Sequence, residues 1–236
     1  MLRAFLAFSV LALVAPLPQV ARAADGAGPV STIALALRLY EEAESQGDAL
    51  GMAVAVRLAG GIRLRKASHW QQESGRYQGA ALTGAKPAPL RVTPDLLVSG
   101  AAWSGALLMA EEDEALSDVL YELPPPVLRG GVSQVTAKLE PGRQDIWTMP
   151  FPGQSPAEVA VFTAAPASET GEDAKSPPLL LWSVEDGAGG VLCPLRVVAA
   201  ATCRFTPAEN GFYRVVIANP GSGAGAQPGE YLLIAN

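Results

Sequence analysis

The groups in this chain with chemical potential are one histidine, two cysteines and several runs of adjacent carboxylates. His69 stands beside Ser68. A serine hydrolase needs an imidazole that takes the nucleophile's proton and a third group that orients it, and no Gly-x-Ser-x-Gly elbow is present, so His69 is read as an exposed or interfacial residue next to Trp70. Cys193 and Cys203 are close enough in sequence to bridge two neighbouring antiparallel strands. A disulfide is expected, closing a short loop for ~2–3 kcal/mol on the chain-entropy estimate; the alternative is a pair of buried free thiols. Two thiols are half of a tetrahedral zinc set and His69 is far away in sequence, so no metal site is expected. The acid runs Glu111-Glu112-Asp113-Glu114 and Glu172-Asp173 have the chemistry for glycoside hydrolysis or for a hard cation, but adjacent acids suit a solvated face or a helix cap. No catalytic residue is assigned and no cofactor is required. Gly221-Ser222-Gly223-Ala224-Gly225 lacks the lysine and the strand-to-helix setting of a phosphate loop, and reads as a hairpin tip.

Aromatic side chains are the remaining candidates for contact with a ligand or partner. Trp103 lies in an apolar helical stretch, and Trp147 and Trp182 lie in strand-like stretches, so these three are expected in the core. Trp70 and Tyr77 fall in a polar connection and are the candidate contact residues.

The elements that must position these groups divide the chain into a helical and a β half. Thr32–Gln46 carries apolar residues at helical spacing and stops at Gly47; Asp48 can cap a second helix, Ala49–Ala59, ended by Gly60-Gly61, although the alternation through Met52, Val54 and Val56 would also suit a strand, and the two glycine-marked breaks favour the helix. From Gly61 to Arg91 the pattern dissolves into a long polar connection. Thr93-Pro94-Asp95 then reads as an N-cap, a proline at the first helical position and an acid suited to the dipole, opening a buried helix that runs to about Met109. A further turn or two follows the acid cluster. Residues 30–123 are therefore expected to form a small all-α unit of two helical hairpins, and 124–130, with Pro124-Pro125-Pro126, a proline-rich linker. Beyond it the period becomes alternating, with strands at Leu179–Val184, Gly190–Val198, Thr202–Phe205, Phe212–Ala218 and Glu230–Ile234 set off by turn residues. Residues 131–236 are expected to be an antiparallel β-sandwich, which makes the fold class α+β.

The N-terminus reads as a cleaved secretory signal over residues 1–23, with Arg3 ahead of an uncharged run and a small-residue site at Ala21-Arg22-Ala23. Its loss takes the formal charge from −6 to −8. No basic run is dense enough to track phosphates, which argues against a nucleic-acid partner. Leu96 to Ala110 is uncharged but too short to span a bilayer, so no stable membrane span is expected after cleavage.

Three segments carry a family resemblance: Gly-Arg-Gln-Asp-Ile-Trp (142–147), Leu-Leu-Leu-Trp-Ser-Val-Glu-Asp-Gly (179–187), and the close from Cys203 to Asn219 followed by Glu-Tyr-Leu-Leu (230–233). Together they resemble the bacterial pre-peptidase C-terminal domain over roughly residues 130–236. The resemblance implies a jelly-roll-like sandwich that serves as an exported accessory domain and is not itself catalytic. Lys175-Ser176-Pro177-Pro178 departs from the acidic pattern that often precedes the central strand, which weakens any inference of calcium binding there. The expected function is a periplasmic or secreted interaction module for an envelope protein, surface polymer or secreted enzyme. The alternatives are a carboxylate-based hydrolase of an envelope polymer and a calcium-dependent binding sandwich.

Overall fold

The computed structural model describes residues 27–79, 90–163, 178–198, 201–222 and 226–236. The expected signal peptide and the Glu172-Asp173 pair lie outside the described residues.

Helix α1 (Pro29–Gln46) starts on a proline and ends where Gly47, at φ 71°, takes the left-handed conformation and returns its N–H to the last turn. Asp48 then caps α2 (Ala49–Gly60) by accepting the Gly51 N–H at 2.9 Å. Small residues on the buried face of α2, Ala49, Ala53, Ala55 and Ala59, let it lie close against α1.

The polar stretch after α2 is not a plain connection. It holds two strands, β1 (Ile62–Lys66) and β2 (Gln71–Arg76). The single helix expected from Thr93 to Met109 is also broken. Thr93 does cap α3 (Pro94–Leu97), but Ser99 starts a new helix, α4 (Gly100–Met109), by accepting the Ala101 N–H. A serine that caps and a glycine that propagates helix poorly explain the break. Asp113 caps α5 (Glu114–Glu122).

Eight strands follow: β3 (Gly130–Leu139), β4 (Arg143–Phe151), β5 (Ala157–Phe162), β6 (Leu181–Glu185), β7 (Val191–Val197), β8 (Thr202–Phe205), β9 (Gly211–Ala218) and β10 (Gly229–Ala235). They build two sheets in the orders β3-β10-β5-β8 and β4-β9-β6-β7. That is the two-Greek-key arrangement of a jelly roll. β1 and β2 extend the two sheets at the same edge, β2 antiparallel to β4 and β1 parallel to β3, the one parallel pair among the strands described.

The chain is therefore α+β in three layers: helices, a first sheet and a second sheet. The first sheet is covered on both faces, so β5 is buried at every position, and its apolar run is near-continuous where a one-sided strand would alternate. Ala160, Phe162, Leu232 and Ile234 face the helices, whereas Val159, Val161, Tyr231 and Leu233 face the second sheet. Phe205, Tyr213, Val215 and Ile217 join that inter-sheet core from one side of their strands.

Candidate functional site

Cys193 and Cys203 form a disulfide, with Cα atoms 6.0 Å apart. The bond does not join neighbouring strands of one sheet. It links β7, at the edge of the second sheet, to β8, at the edge of the first, and so closes one side of the sandwich.

The opposite side is closed by Trp70 and a polar network. Trp70, between β1 and β2, sets its ring edge-on to Trp147, centroids 6.4 Å apart, and packs half-buried against the inter-sheet core. Further along β2, opposite Ser74, lies Asp145, 2 % exposed. Its carboxylate accepts from the Ser74 hydroxyl on the adjacent β2 and from the Tyr231 hydroxyl of the other sheet at 2.6 Å, and Tyr231 in turn accepts the Trp147 Nε1–H at 2.6 Å. Burial, then the hydrogen bond and charge of Asp145, pushes the Tyr231 phenol above its ordinary range, so it remains a neutral donor. Tyr77 lies half-buried past the far end of β2, where burial also raises its phenol. Six residues of extended chain separate it from Trp70, which puts the two about 20 Å apart along the strand. The two candidate contact residues therefore share no platform.

His69 is exposed at the β1–β2 link. In the acid run, Asp113 accepts the Leu116 N–H at 3.0 Å and Glu114 sits in the first turn of α5, where a carboxylate suits the positive end of the helix. No cluster of three metal-ligating side chains gathers among the described residues. Trp103, expected in the core, is only partly buried and lies under the guanidinium of Arg57, 4.3 Å from its ring centroid.

A second buried carboxylate escapes sequence reasoning. Glu158, 1 % exposed on β5, accepts the backbone N–H of Gly28 at 3.1 Å and of Ser31 at 3.0 Å and the Ser31 hydroxyl at 2.7 Å, with Arg204 beside it at 3.3 Å. Strand β5 thus supplies, from across the layer boundary, the acceptor that the first turn of α1 requires. Its one sequence signal is a charge inside the apolar run Ala157–Phe162.

Exposed apolar surface is concentrated on the helical layer. Of the thirteen large apolar side chains exposed among the described residues, ten fall between residues 35 and 128. Helix α5 fully buries only Leu120, and Val119 and Tyr121 on it are exposed, as are Leu108 and Met109 on α4. Leu107, Leu108 and Tyr121 help to line a cleft of about 330 Å³ between these helices. Residues 92–128 hold seven carboxylates and no lysine or arginine, so this apolar face has an acidic surround. On the α1–α2 side, Leu123 to Val127 rest on the end of α2, with Pro126 against Gly60 and the Leu123 carbonyl accepting from Arg57, and line one side of a groove of about 650 Å³.

No protein-family model matches the chain, and no curated protein matches it. A solved structure similar to part of it is the crystal structure of the Yersinia pseudotuberculosis-derived mitogen, at 9% sequence identity, with 44% of this chain and 83% of that chain covered and a TM-score of 0.29. A likeness of that size carries no argument about function.

Proposed function

We propose that the chain is a non-enzymatic exported accessory module, periplasmic or secreted, that binds an envelope protein through its helical layer. The jelly-roll-like sandwich, by its resemblance to the pre-peptidase C-terminal domain, is the accessory scaffold. The observation that carries the reading is the α4–α5 face, where Leu108 and Tyr121 are 69% and 71% exposed. Aromatic and aliphatic anchors inside a polar rim are the anatomy of a protein interface. Because the rim here is acidic, the partner is one that offers an apolar patch bordered by lysine and arginine.

The test is in-cell crosslinking and affinity capture of the tagged protein, with Leu108→Lys/Tyr121→Lys as the comparison. A partner enriched by the wild type and lost from the variant supports the reading. A partner held equally by both, or none enriched above the tag alone, contradicts it.

A further inference from the structure

The groove beside α1 and α2 combines apolar walls with two cations that have no acidic counterpart among the described residues. Leu35, Val54, Leu58 and Ile62 form one side, and the ring carbons of Pro124-Pro125-Pro126, which carry no N–H, form the other. Its volume, about 650 Å³, falls in the range of small-molecule sites. The polar groups are chiefly Arg57 and Arg129, and no carboxylate among the described residues lies within 4 Å of either. Arg57 is held in place: its guanidinium rests on Trp103 and donates to the Leu123 carbonyl at 2.9 Å. Its Nε is buried with no acceptor among the described residues. A planar guanidinium matches a carboxylate better than any other side chain does.

We propose that this groove binds a single-chain amphiphile with a carboxylate head, a long-chain fatty carboxylate. The head pairs with Arg57 and Arg129, and the alkyl chain lies between the hairpin and the proline wall. Nothing in this depends on the α4–α5 face, so the two readings fail or stand separately.

The test is fluorescence titration of the full chain, free of detergent, with cis-parinaric acid, followed by competition. Saturable one-to-one binding is expected, displaced by palmitate and at least about tenfold less well by hexadecanol, which has no charge to pair. Arg57→Gln should weaken binding about tenfold and Arg129→Gln severalfold. Val54→Glu, at a partly exposed position on the wall, should abolish binding while leaving the fold intact. If Arg57→Gln does not fold, Arg129→Gln and Val54→Glu decide. The proposal is overturned by absence of saturable binding, by equal binding in the variants, or by stronger displacement with anionic diacyl vesicles or an apolar peptide, which would assign the groove to a membrane or to a protein.

Discussion

Glu158 and Asp145 are both buried carboxylates, and their partners give them different duties. Glu158 holds the first turn of α1 on the sheet, so Glu158→Ala removes acceptors from two backbone N–H groups and a hydroxyl and breaks the ion pair with Arg204. The expected loss is ~2–4 kcal/mol by urea unfolding, with faster hydrogen exchange at the start of α1; Glu158→Gln should lose less. Asp145 ties the two sheets through Tyr231. Tyr231→Phe should cost ~1–3 kcal/mol at neutral pH. The folded protein keeps the Tyr231 proton that an unfolded chain releases above its ordinary value of 10.0. The contribution is therefore complete below pH 10 and declines as pH rises further, by at most ~1.4 kcal/mol per pH unit. Urea midpoints measured from pH 9 to 11 should fall less steeply in the Phe variant, though not become flat, because Tyr40 and Tyr77 are raised in the same direction. Neither carboxylate was legible as a site, since a strand motif records the apolar alternation around a charge and not the partner brought to it from another layer. Trp70 was legible as an unusual aromatic, but its contact with Trp147 depends on a strand pairing that its own neighbourhood does not announce.

At the scale of elements, legibility follows the density of side-chain signal. Helix α1 and strands β8 to β10 were readable because caps, turns and apolar spacing agree with one another; α2 was readable from its Asp48 cap and glycine stop, since its Met52, Val54 and Val56 alternate as a strand's would. β1 was hidden because Arg63, Arg65 and Lys66 surround its inward Ile62 and Leu64. β2 was hidden because Gln71-Gln72-Glu73-Ser74-Gly75-Arg76 has no apolar period at all; its partner β4 supplies the reason to extend. Charged edge strands of this kind also discourage pairing with other chains. The disulfide was expected from the spacing of Cys193 and Cys203, whereas its place between sheets depends on β7 and β8 lying at facing edges. Replacing both cysteines with serine should lower stability by ~2–3 kcal/mol. Adding reductant should shift the unfolding midpoint of the wild type and leave that of the variant unchanged.

At the scale of the molecule, the α and β halves read from the sequence become layers of one stack. Phe162, Leu232 and Ile234 belong to strands yet complete the helical core, and β1 and β2 return the chain from the helices to both sheets before α3 begins. The α+β class and the sandwich were readable from local periodicity; the stacking was not, because it depends on which face of β5 and β10 a helix covers. Building the helices on a stapled sandwich leaves α4 and α5 presenting apolar side chains within an acidic surround. Reversing that surround, as in Glu111→Lys/Glu114→Lys/Asp118→Lys, should weaken capture of a basic-rimmed partner, and raising the salt concentration should weaken wild-type capture as well. The most direct measurement places a photo-crosslinking amino acid at position 121 on α5 or at position 212 on the exposed face of the second sheet, in cells. One dominant protein adduct is expected from position 121 and none from 212; the same adduct from both positions, or from 212 alone, would place the interface elsewhere than on the α4–α5 face.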